Sequence, residues 1–235
     1  VSYPIIDAIN ANQNNVVTVE GVVIGNVGLS YFIHDGENGI YLYSMNEVYE
    51  IGDRIQVTGV RAVFNGLIQL KDFTNSFKIS SNNTLPSAIE VERLSQITTQ
   101  STLYSIENLT ILKINLGDQD KFVTVKDKYN QEMEIIISKH IGVMQKDEIL
   151  SKLDYVNVGD KISLENFVSG YYKKFQIQVF NANQLIITNG GTTGIDPYYP
   201  DSDDMIFLSD ELDKFLTSGI YPVGETNVLI IPINF

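Results

Sequence analysis

Apolar and polar positions alternate in the same register at two places in this chain. Ile51-Gly52-Asp53-Arg54-Ile55-Gln56-Val57 leads on to Phe64-Asn65-Gly66-Leu67-Ile68-Gln69-Leu70. Further on, Val158-Gly159-Asp160-Lys161-Ile162-Ser163-Leu164 leads to Tyr171-Tyr172-Lys173-Lys174-Phe175-Gln176-Ile177. The copies align without a gap, which sets Gln69 on Gln176 and Leu70 on Ile177. An apolar-Gly-Asp-basic turn that opens an alternating strand, followed by a second strand, is one supersecondary unit used twice.

The first copy predicts a short amphipathic helix over residues 5–12 and then a long strand over 16–25. Gly21 lies where a barrel strand has to coil sharply. Strands at 31–35 and 40–43 flank Gly36-Glu37-Asn38-Gly39, and strands at 54–64 and 67–71 flank Asn65-Gly66, both hairpin signals. Five coiled strands at this spacing describe an OB-type barrel. The second copy predicts strands over 104–114, 122–127, 133–137, 160–167 and 174–180. A segment between its third and fourth strands carries Val143-Met144, Ile149-Leu150 and Leu153 at helical spacing, where OB barrels often hold a helix. The expected fold is therefore mainly β: two tandem OB-like five-stranded barrels with a short helix and strand at the C-terminus. The divisions are barrel 1 over 1–93, barrel 2 over 94–188, a linker over 189–205 and the start of a further domain over 206–235. Ser209 is a candidate N-cap for a helix with Leu212, Phe215 and Leu216 on its apolar face, and 227–235 is an apolar strand without a partner. The start at Val1-Ser2-Tyr3-Pro4 is expected to be a processed or trimmed end, and the natural protein is expected to continue past Phe235.

The length of 235 residues suits two small domains, and 43% hydrophobic content is that of a folded globular chain. No apolar run of bilayer-spanning length occurs. Absence of cysteine excludes disulfides, thiolate metal sites and cysteine nucleophiles. The net charge of −13 argues against a nucleic-acid grip over most of the surface, so any such site is a local patch on an acidic body.

No phosphate loop, nucleophile elbow or metal-ligand spacing is present, and no catalytic residue, metal site or cofactor is expected. His34 and Asp35 are sequence neighbours whose side chains leave a strand on opposite faces, which does not make a catalytic pair. His140 precedes the inserted helix. If Ile33, Ile40 and Leu42 point inward, then Phe32, His34, Tyr41 and Tyr43 share the outer face, where rings can stack on bases or sugars. The alternative is that these rings pack against the other barrel or the N-terminal helix. In the second copy Glu132 and Glu134 occupy the corresponding face. The hairpin Tyr171, Tyr172, Lys173, Lys174 and Phe175 interleaves bases with rings and is the best local binding candidate, with Lys121, Lys126 and Lys128 as possible extensions. Asp196, Asp201, Asp203 and Asp204 offer oxygens to calcium, but without EF-hand spacing.

Several stretches look like OB-fold modules of secreted bacterial nucleases: Gly21-Val22-Val23, Phe32-Ile33-His34-Asp35, Gly39-Ile40-Tyr41-Leu42-Tyr43, and Gly52 to Gly59 with Asn65 to Leu70. The resemblance covers about residues 1–190 and is looser in the second copy. Residues 219–235 look like the opening strand of secreted metallopeptidase domains, and the two likenesses imply different enzymes. The resemblance implies a non-catalytic accessory module of a secreted or cell-surface multidomain hydrolase. Its partners would be a single-stranded nucleic acid or another polymer, together with a downstream catalytic domain. The rival expectation is a structural spacer, or an adhesion module that binds protein or glycan.

Overall fold

The computed structural model describes residues 3–117 and 120–188. Strands β1 (Val16–Val27), β2 (Ser30–His34), β3 (Gly39–Leu42), β4 (Arg54–Phe64) and β5 (Leu67–Ser80) close into a barrel in the order β1-β2-β3-β5-β4. Every pairing is antiparallel except β3 with β5, which gives OB strand order. Helix α1 (Ile5–Asn10) packs Ile5 and Ala8 into the barrel core beside Val19, Ile33, Leu42 and Leu70. The sharp coil expected at Gly21 falls elsewhere. Gly21 pairs in register with Ile55, while the β1–β2 register breaks between Val23 and Gly25. What Gly21 allows is close approach, since a Cβ there would lie 3.1 Å from the His34 backbone. β5 runs nine residues past its predicted end at 71 because it stays paired to β4, with Phe77 opposite Gln56 and Ser80 opposite Arg54.

The second barrel repeats the arrangement. β6 (Ile89–Val91) precedes β7 (Leu103–Asn115), β8 (Lys121–Lys126) and β9 (Glu132–Ile137). Helix α2 (Val143–Leu153), β10 (Lys161–Tyr172), β11 (Lys174–Gln178) and β12 (Leu185–Thr188) follow. β7-β8-β9-β11-β10 runs in the same order, β10 pairs back onto β7, and β9 with β11 is again the parallel pair. Two strands absent from the sequence reading widen the sheet: β6 lies parallel to β7, and β12 antiparallel to β10. The second sheet therefore begins before residue 94. Helix α2 stands where the insertion predicted it and buries Ile149 and Leu153, while Val143 and Met144 face solvent.

The sequence repeat is also a hydrogen-bond repeat. In one copy Gly52 takes φ 91° and donates to Val23 O; in the other Gly159 takes φ 101° and donates to Ile111 O. Both φ values lie where a side chain is strained. The following Asp53 and Asp160 each accept the N–H three residues back, from Glu50 and Asn157. A second pair was not anticipated. Asp35 Oδ1 accepts from the N–H groups of Glu37 and Asn38, and its Oδ2 accepts from Ile5 N–H at the head of α1. Asp127 does the same for Tyr129 and Gln131, and for Leu94 at the head of a 3-10 turn. In each barrel one aspartate ties the β2–β3-type hairpin to the N-terminal cap. Asp35 thus has a structural task.

The barrels join through an apolar seam. Ile24 and Phe32 of the first are part of the core cluster of the second, and the Phe32 and Phe180 rings lie 5.9 Å apart. Gly25 is required there, because a Cβ would overlap the Phe180 ring. The linker, the candidate calcium aspartates, the Ser209 helix and the strand over 227–235 lie outside the described residues.

Candidate functional site

The alternation along β2 and β3 sends Ile33, Ile40 and Leu42 into the first barrel and leaves Phe32 and Tyr41 on its outer face. That face does not meet open solvent. The second barrel turns the outer side of β8, β9 and β11 toward it, and a cleft of about 390 Å³ lies between the two. OB barrels use these same faces and the adjoining loops to hold ligands, and here the two faces confront each other. Phe32, only 3% exposed, forms part of the seam, its ring 4.7 Å from Tyr41. Its role is thus to join the barrels, and no open face of its ring remains for stacking. Tyr41 is half-buried at the cleft wall, and burial raises its phenol pKa although a hydrogen bond with Ser30 opposes this. Tyr43 is 52% exposed, with its backbone anchored by donation to Leu70 O at 2.8 Å.

From the other side come Tyr171 and Tyr172 at the end of β10, with Phe122 on β8 and Gln176 on β11. Lys173 takes the turn position at φ 60° and donates its N–H to Asn65 O at 2.7 Å, so this hairpin docks on the Asn65-Gly66 hairpin of the first barrel. Tyr171 rests against Gly66, where a Cβ would come within 2.5 Å of its ring, and meets Phe175 edge-on at 5.0 Å. Tyr172 faces Phe64 across the seam at 6.1 Å. Gln100 adds a clasp: its Oε1 accepts from Ile68 N–H and its Nε2 donates to Gly66 O. The hairpin is therefore both a wall of the cleft and a contact between barrels.

The charges are modest. Lys174 pairs with Glu134 at 3.1 Å, and Lys173 Nζ lies 5.9 Å from the Tyr172 ring centre. Lys121 donates to Leu116 O and Gly117 O, Lys126 to Asn130, and Lys128 reaches Glu92 at 3.7 Å. Each of these three therefore already has a polar partner outside the hairpin. Eight of the 29 acidic residues and one of the 16 basic residues follow Thr188, which leaves −6 on residues 1–188.

A second trough of about 380 Å³ opens on the far side of Tyr43, Phe64 and Gln69, which line both spaces, and continues to Gln13, Asn14 and Lys71. Lys71 pairs with Asp72 at 3.2 Å. The loop carrying Asn14 is tied to β4 by Asn14 N–H to Arg61 O and Arg61 N–H to Asn15 O. Five of the predicted residues (Phe32, Tyr41, Tyr43, Tyr171 and Tyr172) thus meet in one cleft, with Lys173, Lys174 and Phe175 on the hairpin beside it. Phe64, Phe122 and the glutamines were missed, although the repeat that aligns Gln69 with Gln176 pointed at two of them.

Neither histidine joins the site. His34 is buried, and its Nδ1 accepts from Gly36 N–H at 3.0 Å. Burial lowers its pKa, partly opposed by Asp35. His140 follows β9, its N–H donating to Ser138 Oγ.

No protein-family model matches the chain, and no curated protein matches it. Among solved structures, fission yeast Pot1 with ssDNA is similar at TM-score 0.39 and 11% identity, covering 90% of this chain and 92% of that one. A Replication Protein A heterotrimer bound to ssDNA gives 0.33 and 10%, covering 92% and 56%. A multidomain protein with nucleic acid binding domains from Streptococcus pneumoniae gives 0.20 and 13%, covering 68% and 44%. At TM-scores below 0.5 these likenesses carry no functional information.

Proposed function

We propose that this chain is a non-catalytic binding module that holds a single-stranded nucleic acid in the cleft between its two OB barrels. The observation that supports this is the mouth of the cleft, where Tyr43, Phe64 and Tyr172 present rings that are 52%, 57% and 48% exposed. Exposed rings in a groove between OB faces are a sequence-tolerant stacking platform. At about 1–3 kcal/mol per stacked base, three stacked bases supply roughly 3–9 kcal/mol, an affinity that spans from millimolar to sub-micromolar. The test is fluorescence anisotropy of labelled single-stranded DNA at low salt, on the wild type and on Tyr43→Ala with Phe64→Ala. The wild type binds and the double variant does not. A signal still flat at roughly 100 μM protein leaves less than about 5.5 kcal/mol for all three rings, under the middle of that range, and refutes the reading.

One observation favours a second ligand class. With Lys71 and Lys174 already paired to acids, and Gln13, Asn14, Gln69 and Gln176 lining the troughs, a neutral glycan also fits. Glycan binding without DNA binding would establish it, and binding of neither would leave the spacer role.

The proposal extends to context. The module serves as the accessory part of a secreted or cell-surface multidomain hydrolase, with a catalytic domain downstream of Phe235. The resemblance of residues 1–190 to modules of secreted nucleases supports this; the metallopeptidase-like stretch over 219–235 lies outside the described residues. Sequencing the gene beyond the codon for Phe235 tests it, and a stop codon at that point would refute it.

A further inference from the structure

We propose that the single strand continues from the cleft past the rings of Tyr43 and Phe64 into the second trough, where Gln13 and Asn14 form a further subsite for it. This rests on the nucleic-acid reading above and deepens it. The two troughs share Tyr43, Phe64 and Gln69 as walls, so they are neighbours across one partition. Tyr172 lines only the cleft, with its ring 6.1 Å from that of Phe64, whereas Gln13 and Asn14 line only the other side. Tyr43 and Phe64, each about half exposed, therefore stand between two spaces of similar volume, about 390 and 380 Å³. A polymer seated on one side of that partition finds a continuation on the other; a small ligand needs none.

The far trough offers contacts that suit any base. Gln13 and Asn14 are exposed, and each side-chain amide carries a donor and an acceptor. Such a group bonds base edges, sugar oxygens and phosphates alike, so the subsite tolerates sequence. Asn14 holds φ 71°, a left-handed conformation in which asparagine is among the few common side chains. The loop is tied to β4 through Arg61, so both side chains project from a backbone fixed on the barrel. Lys71, which also lines this trough, is paired with Asp72 at 3.2 Å, which leaves the grip to uncharged groups. Val63, 39% exposed, lines this trough and not the cleft, and so marks a position where the subsite can be disturbed by itself.

The experiment measures dissociation constants by anisotropy for oligo(dT) of about 4, 8 and 12 nucleotides, lengths within the range that single OB folds cover. The proteins are the wild type, Gln13→Ala combined with Asn14→Gly, Val63→Glu and Tyr43→Ala. Glycine at position 14 keeps the left-handed backbone without strain. One further stacked base tightens binding by about 5- to 150-fold, so wild-type affinity rises by a factor in that range from the shortest oligomer and then levels off. Extra registers on a longer oligomer help every variant equally, so the long-to-short ratio is what is compared. The double variant and Val63→Glu, which sets a carboxylate against the phosphates, lose most of that ratio. Both hold the shortest oligomer close to wild type and keep its melting temperature. If Val63→Glu melts early, the double variant, altered only at exposed positions, decides. Tyr43→Ala weakens every length. An unchanged ratio in the trough variants overturns the proposal and leaves the nucleic-acid reading standing, as does equal weakening of all three lengths. Failure of every length to bind the wild type removes both.

Discussion

Asp127 and Asp35 make the same three hydrogen bonds in two barrels, yet removing them should have unequal consequences. Asp127 is 5% exposed and accepts from Leu94, Tyr129 and Gln131 at 2.9, 2.8 and 3.0 Å. The Leu94 bond is fully buried and the other two are partly buried. A hydrogen bond to a charged acceptor is worth about 1.5–3 kcal/mol, and an orphaned buried donor keeps its full desolvation penalty. With the two partly buried donors discounted for access to water, Asp127→Ala should cost about 3–5 kcal/mol. Asp35 is exposed. Its bonds to Glu37 and Asn38 lie in solvent, and only the Ile5 N–H is partly buried, so Asp35→Ala should cost about 1–2 kcal/mol. Asp127→Asn, which keeps one carbonyl acceptor, should fall between the two. Urea unfolding followed by tyrosine fluorescence measures all three, provided the slope with denaturant stays constant. Equal costs for the two alanine variants, or less than about 1 kcal/mol for Asp127→Ala, would refute the reasoning that burial of the donors sets the magnitude.

Three further outcomes are expected. Gly25→Ala forces a methyl group into the Phe180 ring and should destabilise by about 1–3 kcal/mol, whereas in a Phe180→Ala background it should be nearly neutral; additivity in a thermal melt would contradict the contact. Because Lys71 and Lys174 are paired to acids and Lys173 makes no ion pair among the described residues, DNA affinity should fall with salt at a log–log slope of about −0.7; a slope steeper than about −3 would place the grip elsewhere. Burial lowers the folded pKa of His34, so below its unfolded value of about 6.5 the unfolded chain binds more protons and stability falls as pH drops toward the folded pKa. His34→Gln should flatten that part of a stability–pH profile, and an unchanged profile would count against it.

The fold was legible where its determinants are local. The Gly-Asp turns, the Asn65-Gly66 hairpin and the α2 insertion each carry their signal within a few residues, and each stands where it was expected. β6 and the far half of β5 were not legible. β6 is three residues long, and β5 beyond Lys71 is largely exposed, so neither carries a clean apolar alternation. The Asp35 and Asp127 clasps were hidden because their partners Ile5 and Leu94 lie 30 and 33 positions away. For the site, alternation put Phe32 and Tyr41 on the outer face of their barrel, but it carries no information about a second barrel covering that face. Gln69 stood in plain view in the repeat, yet its enclosure depends on β3, β4 and the opposing sheet together.

The seam has a consequence for how such a molecule could change over time. Tyr43, Phe64, Tyr172 and Gln69 belong to neither of the two hydrophobic cores, so substitutions among them can retune what is recognised while both barrels stay foldable. Phe32 and Phe180 have no such latitude, since they hold the two halves at the spacing that creates the cleft. A tandem pair of this kind has a pocket that a lone barrel does not possess, and has it at the join, where variation disturbs neither core.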